Sequence, residues 1–295
     1  MTATPNEGLT VTTWKIAAVQ MDSRLGDVAG NRETMRRKLA EAAGNGAKLV
    51  VFPECAVTGY GHTSRAEVTK VAEPLPGPTC EVIAAACGRL GVWCVFGLFE
   101  SAGDKLYNSC ALIGPSGFVA SFRKIHLPCV GADRFTDPGD QPFAVHDLGG
   151  LKVGIQICFD ASFPESARIQ TLLGADLILL PTNWADQAMK MATWVPRVRA
   201  LENHVYFCAV NRVGTEAGHH YIGYSSICNA VGDTLAAADH DGETILYADV
   251  DPAAARAKRV IHCAGEYEID RVNWRRPDVY GPLLSGPVFD GHKQT

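Results

Sequence analysis

Short apolar runs alternate with helical patterns along this chain. Residues 32–43 and 79–90 have helical periodicity, and glycine, a common helix terminator, follows each segment. Residues 114–117 (GPSG) have the composition of a hairpin turn. Strands that alternate with helices predict an α/β fold, with helices packed on the faces of sheets. Five runs are typical of buried strands, at residues 14–21, 49–52, 92–99, 107–113 and 118–122.

The second half of the chain repeats the pattern of the first. Residues 46–54 (GAKLVVFPE) match residues 174–182 (GADLILLPT) nearly position for position, and residues 152–158 resemble residues 15–21. A chance similarity between two ordinary strand–helix units is the alternative. If the repeat is real, the halves form the two sheets of one sandwich, and equivalent strand ends meet at one site.

No linker or low-complexity segment separates the two halves. We therefore expect a single domain over residues 1–295, with a core over about residues 13–265. The tail, residues 266–295, contains Trp274, Tyr280 and several prolines and is predicted to be irregular. Such a segment needs a surface to pack against, so we expect it at a subunit interface of a homodimer or higher homo-oligomer.

Composition and charge favour an enzyme that acts on a small molecule. Hydrophobic residues make up 47% of the 295 residues, charged residues make up 20%, and the net charge is −5. Lysine and arginine form no cluster, so a nucleic-acid or membrane-surface partner has no electrostatic support.

The cysteines predict a reducing compartment rather than a secreted protein. Most of the 10 cysteines lie inside apolar runs, and neither a CxxC pair nor a zinc-ligand spacing occurs. The first residues lack the pattern of a signal peptide, and no apolar run is long enough to span a membrane. We expect a cytoplasmic protein.

Three reactive side chains each lie just beyond an apolar strand. Apolar neighbours of Glu54 favour a raised carboxyl pKa, which suits a general base. The charge of Lys124 would stabilise an oxyanion. Cys158 lies at a predicted strand-to-helix turn, where the helix dipole favours a thiolate and backbone N–H groups would bind an oxyanion. Taken singly, each has an ordinary structural alternative, and we interpret His126 as a hydrogen-bonded structural residue.

The order of these residues carries a stronger signal than any one of them. Glu54, Lys124 and Cys158 occur at intervals of 70 and 34 residues and resemble the Glu-Lys-Cys triad of the carbon–nitrogen hydrolase (nitrilase) superfamily. The resemblance covers nearly the whole chain, through residues 52–54 (FPE), 123–127 (RKIHL), 158–160 (CFD), 199–206, 211–214 (NRVG), 223–226 and 270–277.

The resemblance implies a four-layer αββα sandwich with an internal pseudo-two-fold repeat, commonly paired into a dimer. It also implies that Glu54 takes the thiol proton of Cys158, and that Lys124 and the Phe159 backbone N–H stabilise the oxyanion. The implied reaction hydrolyses a non-peptide carbon–nitrogen bond through a thioester. Neither a metal nor an organic cofactor is required.

The loop after the lysine departs from the family pattern. Many members carry a second glutamate there, whereas residues 126–139 contain none. Asp133 is the nearest carboxylate and Asp137 the second choice. Asp133 either takes the role of the missing glutamate or is an ordinary surface acid.

The residues after the nucleophile favour an amide substrate. True nitrilases usually follow the cysteine with Trp-Glu, whereas this chain has Phe159 and Asp160. A small-molecule amide that releases ammonia is therefore the expected substrate. The alternatives are a nitrile, an N-carbamoyl amide and, from a different class, a non-catalytic binding or assembly protein.

Charge and aromatic residues narrow the substrate further. Ala161 and Ser162 stand where relatives with acidic substrates tend to place arginine. An acidic substrate therefore requires another arginine, such as Arg134 or Arg197. Tyr60 and Trp184 follow repeat-related strands and are candidates for the pocket wall, with an ordinary core position as the alternative.

Overall fold

The structure is a computed structural model that describes residues 13–285, in two compact units. The first unit ends at Arg256 and the second begins at Ala257. A hairpin that starts at Val260 belongs to the second unit, and the single domain over residues 1–295 stays a prediction. Across residues 13–285, no helix has the length and apolar character needed to cross a membrane.

The first unit has an α/β element order. Its strands are β1 (Trp14–Gln20), β2 (Leu49–Val51), β3 (Trp93–Ala102), β4 (Lys105–Gly114), β5 (Gly117–Arg123), β6 (Val145–Asp147), β7 (Lys152–Ile155), β8 (Leu177–Thr182), β9 (Tyr206–Asn211), β10 (Val213–Glu216), β11 (His219–Ile222), β12 (Ser226–Cys228), β13 (Thr234–Ala237) and β14 (Thr244–Val250). Its helices are α1 (Val28–Gly44), α2 (Arg65–Val71), α3 (Pro78–Leu90), α4 (Pro164–Leu172), α5 (Met189–Asn203) and α6 (Pro252–Arg256).

Local sequence signals explain where the helices begin and end. The Asp27 side chain accepts a hydrogen bond from the Gly30 N–H and caps α1. Helix α3 starts with proline at its first turn and ends at Gly91, which has a left-handed φ of 67°. The predicted helix at 79–90 is therefore confirmed.

Two six-stranded sheets form the centre of the first unit. Their strand orders are β14-β1-β2-β3-β4-β5 and β13-β12-β9-β8-β7-β6, and a separate hairpin joins β10 to β11. Within the first sheet, β14 pairs antiparallel with β1. Within the second, β6 pairs antiparallel with β7.

The hydrophobic clusters define four layers. One cluster joins side chains from both sheets, among them Ile16, Val51, Ile155 and Leu179, and fills the space between them. A second packs the outer face of the first sheet against α1 and α3. A third covers the outer face of the second sheet with side chains of α4 and α5. The predicted αββα sandwich is confirmed.

Strand register confirms the internal repeat. Strands β1 and β2 pair in parallel with Ile16 opposite Leu49, and β7 and β8 do so with Val153 opposite Leu177. These partners are the same pairs that the sequence match aligns. The end of β2 and the end of β8 are therefore equivalent, and so are Glu54 and Thr182.

The second unit is small and largely irregular. Strands β15 (Val260–Cys263) and β16 (Tyr267–Ile269) form an antiparallel hairpin, and two short 3₁₀ turns follow. Trp274 is 58% exposed and Leu284 is 94% exposed. The predicted tail continues to residue 295, and its residues 286–295 lie outside the described part of the chain.

Candidate active site

Glu54 lies immediately beyond β2, where Pro53 ends the strand. The residue is buried, and its Oε1 accepts hydrogen bonds from Lys124 Nζ at 2.7 Å and from Asn108 Nδ2 at 2.7 Å. Its Oε2 is also buried and has no hydrogen-bond partner among residues 13–285. Burial raises the pKa of Glu54; Lys124 opposes the rise, and the charge of Asp133 adds to it. The free oxygen has the properties of a proton acceptor.

Lys124 follows β5 and is held by two carboxylates. Its side chain is 0% exposed, and Nζ lies 2.7 Å from Glu54 Oε1 and 2.5 Å from Asp133 Oδ2. Burial by itself lowers the pKa of Lys124, but the charges of Asp133 and Glu54 outweigh burial and raise it well above its ordinary value. The ammonium group is therefore a fixed positive charge.

Asp133 lies in the 3₁₀ turn Gly131–Phe135 and is buried. Besides Lys124, its carboxylate accepts hydrogen bonds from the Tyr60 hydroxyl at 2.9 Å and from Asn108 Nδ2 at 2.8 Å. Asp133 thus forms an ion pair with Lys124, and it lies in the loop that lacks the second glutamate of the family. Its three donors fix its position.

Asp137, the second choice from the sequence, lies elsewhere. Its carboxylate forms ion pairs with Arg65 at 3.1 Å and Lys105 at 3.0 Å, both of which are largely exposed. It does not take part in the cluster of Glu54 and Lys124.

Asn108 is a site residue that the sequence analysis missed. It lies in β4, and its Nδ2 bridges Glu54 and Asp133. The available signal was the polar pair Asn108 and Ser109 within a mostly apolar strand. Its side-chain amide keeps the two acids at a fixed separation.

Cys158 begins a tight turn after β7. It has a left-handed φ of 44°, which is unusual for a residue other than glycine, and it opens the 3₁₀ turn Cys158–Ser162. Burial and the charge of Glu54 raise the pKa of its thiol to about 12, although Lys124, Thr182 and the Asn183 backbone oppose the rise. Desolvation and the neighbouring carboxylate therefore favour the neutral thiol, in contrast to the expected dipole-stabilised thiolate.

A buried aspartate fixes this turn. Asp160 accepts hydrogen bonds from the Ile157 N–H at 3.1 Å and from the His126 N–H at 3.0 Å, and its Oδ1 lies 2.7 Å from His126 Nδ1. The imidazole also stacks on Phe163 at 3.8 Å. His126 therefore joins the lysine loop to the cysteine turn, in agreement with its structural interpretation.

A buried ion pair holds the Tyr60 loop, and sequence reasoning missed it as well. Glu216 Oε2 accepts hydrogen bonds from the backbone N–H groups of Tyr60 and Gly61 at 2.9 Å each, and from Arg212 at 2.7 Å. The Arg212 guanidinium lies 4.4 Å from the centre of the Tyr221 ring. Because Tyr60 in turn binds Asp133, the ion pair supports the acid cluster.

A cavity of about 720 Å³ opens beside Cys158. Tyr60 and Trp184, the candidates for the pocket wall, line it, and so do Phe159 and Arg134, whereas Arg197 is not among its lining residues. Most of the lining is apolar, with contributions from Pro128, Val130, Ala188, Met191 and Tyr221. The arrangement combines a neutral thiol, an acceptor carboxylate and a fixed ammonium next to an apolar pocket.

Known proteins are similar to this chain in sequence and in fold. The sequence profile named carbon–nitrogen hydrolase matches residues 15–260. The chain belongs to the carbon–nitrogen hydrolase family. It is therefore an enzyme that hydrolyses carbon–nitrogen bonds, which sets aside the non-catalytic alternative.

Curated relatives of this hydrolase include nitrilases and amidases. A nitrilase of Pyrococcus abyssi is 40% identical over 247 residues, which cover 83% of this chain and 93% of that protein. An omega-amidase of Danio rerio is 33% identical over 253 residues, covering 81% and 88%. An amidase from Nesterenkonia sp. AN1, solved with acrylamide, shares the fold with a TM-score of 0.77 at 22% identity, covering 96% and 100%.

Proposed function

We propose that this hydrolase converts small uncharged amides into a carboxylic acid and ammonia, with Cys158 as the nucleophile. The observation that carries the proposal is the buried cluster of Glu54, Lys124 and Asp133 in the same site as a thiol whose pKa is raised to about 12. A thiol of this kind is a weak nucleophile until a base removes its proton, and Glu54 has an unpartnered oxygen for that task.

The first half of the reaction forms a thioester. Glu54 takes the proton of Cys158 while Sγ adds to the carbonyl carbon, and the carbonyl electron pair moves to oxygen. Lys124 and the Phe159 backbone N–H donate hydrogen bonds to this oxyanion. The oxyanion then collapses, the carbon–nitrogen bond breaks, and Glu54 returns its proton to the departing ammonia.

The second half releases the acid. Glu54 takes a proton from water as the water oxygen adds to the thioester carbonyl carbon, and the same donors stabilise the second oxyanion. When this intermediate collapses, the carbon–sulfur bond breaks and Cys158 regains its proton from Glu54. Each residue returns to its starting protonation state.

The residues of the pocket wall favour a substrate with an uncharged acyl group. Its lining is mostly apolar, and it contains one residue with a permanent charge, Arg134, among those described. This guanidinium is exposed and donates to the Gly131 carbonyl at 3.0 Å. An acid or N-carbamoyl amino acid would bring a carboxylate into apolar surroundings with only that arginine to pair with it.

A nitrile substrate is the second candidate, favoured by the 40% identity to the Pyrococcus abyssi nitrilase. The thiol would add to the nitrile carbon to give a thioimidate, which must add water before ammonia leaves. Paired kinetics on one acyl skeleton separate the two. We expect kcat/KM to be at least about tenfold higher for the amide, or roughly 1.4 kcal/mol. Equal or reversed values would favour the nitrilase function.

Two variants test the proposed chemistry. Cys158→Ala should abolish turnover while thermal unfolding stays close to that of the wild type. Glu54→Gln should lose a similar share of activity, because residues that act as a unit do not contribute additively. Activity retained by Cys158→Ala would exclude the thioester route.

We also propose a two-fold assembly and a cytoplasmic location. The apolar side chains exposed in the second unit, such as Trp274 and Leu284, support a role for the tail at a subunit interface. All 10 cysteines are free, which supports a reducing compartment.

A further inference from the structure

Asn183 carries a buried side-chain amide that no protein group binds. The residue is 7% exposed, and neither Oδ1 nor Nδ2 has a hydrogen-bond partner among residues 13–285. It lines the pocket beside the nucleophile, and its backbone N–H interacts with the sulfur of Cys158. Unsatisfied buried polar atoms are unfavourable, and a bound ligand that pairs with them removes this cost.

The segment that carries Asn183 is held rigidly. The next residue, Trp184, donates its backbone N–H to Asn211 Oδ1 at 2.7 Å, and its carbonyl accepts from Asn211 Nδ2 at 3.1 Å. The Ile222 N–H donates to the same carbonyl at 3.1 Å. Because β8 ends directly before Asn183, the backbone of Asn183 is held on both sides. A backbone held in this way limits the positions that the Asn183 amide can take before substrate binds.

The hydrogen-bonding groups of a simple amide can be assigned by elimination. The carbonyl oxygen is bound by Lys124 and the Phe159 N–H in the proposed reaction, and the acyl part faces an apolar wall. The amino group remains, and it needs an acceptor. We infer that Asn183 is a specificity-determining residue whose Oδ1 accepts a hydrogen bond from the amino group of the substrate. This inference rests on the proposed amidase function.

The contact has a chemical purpose in the tetrahedral intermediate. The nitrogen there has a lone pair that must receive the proton carried by Glu54. A hydrogen bond from one N–H to Asn183 fixes rotation about the carbon–nitrogen bond and turns the lone pair towards Glu54. A leaving group without an N–H gains nothing from Asn183.

A matched pair of substrates tests the inference. The primary amide and the methyl ester of one small uncharged acid share the carbonyl, the oxyanion and the thioester, but the leaving oxygen of the ester has no hydrogen. Asn183→Leu keeps the approximate shape of the side chain and removes both polar atoms. We expect kcat/KM for the amide to fall about 10- to 100-fold, and kcat/KM for the ester to change less than about threefold.

The matched control is Gln141→Leu, which removes a side-chain amide at an exposed position that does not line the pocket. Both substrates should therefore react with this variant as with the wild type. Asn183→Ala gives the same comparison if leucine prevents folding, and retained ester hydrolysis shows that the catalytic groups are intact.

Three results would overturn the inference. Equal losses on amide and ester would assign Asn183 a general structural role. Unchanged amide hydrolysis would show that its amide does not contact the substrate. A wild-type enzyme that hydrolyses the ester but not the amide would overturn the proposed function itself, and this inference with it.

Discussion

Replacing Asp133 with asparagine removes one negative charge from the buried cluster without changing its shape. In the wild type, the carboxylate accepts hydrogen bonds from Lys124 at 2.5 Å, Tyr60 at 2.9 Å and Asn108 at 2.8 Å. Asparagine keeps one acceptor oxygen and places an amino group at the other position. At least one of the three donors then faces the side-chain amino group of the new asparagine, which is itself a hydrogen-bond donor.

The magnitude follows from burial of these groups. An unsatisfied buried donor destabilises a protein by about 1–3 kcal/mol, and a fully broken buried ion pair by about 3–5 kcal/mol. Glu54 still binds Lys124 in the variant, so we expect the free energy of unfolding to fall by about 2–4 kcal/mol. The lysine also loses one of its two carboxylate contacts, and kcat/KM for an amide should fall about 100-fold.

The pH dependence should move in a defined direction. Glu54 must be ionised to accept the thiol proton, so activity falls as pH drops through its pKa, which lies above the ordinary value of 4.5. Because the charge of Asp133 helps to raise the pKa of Glu54, Asp133→Asn should shift this acid limb to lower pH.

The assay is kcat/KM for an amide across the pH range, with thermal unfolding measured in parallel. Asp137→Asn is the matched control. It also removes a carboxylate from this loop, but that carboxylate pairs with Arg65 and Lys105 rather than with Lys124. Wild-type activity in Asp133→Asn, or an equal loss in Asp137→Asn, would refute the assignment. If the acid limb of the pH profile does not move in Asp133→Asn, only the predicted effect of Asp133 on the pKa of Glu54 is refuted.

Three further predictions concern other parts of the molecule. Tyr60→Phe removes one of the three hydrogen-bond donors to Asp133. We expect the free energy of unfolding to fall by about 1.5 kcal/mol and kcat/KM for an amide to fall about tenfold; an unchanged kcat/KM would contradict this. Hydrogen bonds to Asp186 and Asp241 raise the pKa of His220 above 6.5. The protonated imidazole therefore stabilises the folded protein below pH 6.5, and this contribution is lost as pH rises through the raised pKa. The melting temperatures of wild type and His220→Gln should therefore converge at alkaline pH. Truncation of residues 266–295 should give poorly soluble or monomeric protein, whereas an active wild-type monomer near 31.6 kDa in light scattering would rule out the tail interface.

Much of the fold could be predicted because it depends on local patterns. The match between residues 46–54 and 174–182 identifies two strands whose register in the sheets proves equivalent. Apolar runs ended by glycine or proline locate the strands and helices. The sequence did not show that the hairpin at Val260 belongs to a second compact unit, because that depends on contacts between distant residues.

The active site was predictable only in part. Glu54, Lys124 and Cys158 follow apolar strands in a recognisable order, and Asp133 was identified as the nearest acid. Asn108 was missed, because nothing in the sequence shows which buried side chain bridges two acids. The expectation of a Cys158 thiolate did not include burial or the charge of Glu54, which raise the pKa of the thiol and depend on the fold.

The edge strands β6 and β14 have a consequence for folding. The first half of the chain ends in β6, which pairs with β7 of the second half, and the second half ends in β14, which pairs with β1 of the first. Each half thus donates its last strand to the sheet of the other, a reciprocal exchange that interlocks the two. Neither sheet is complete until both halves have folded, so the halves unfold together as one cooperative unit. The interlock keeps Glu54, from one half, in position relative to Cys158, from the other.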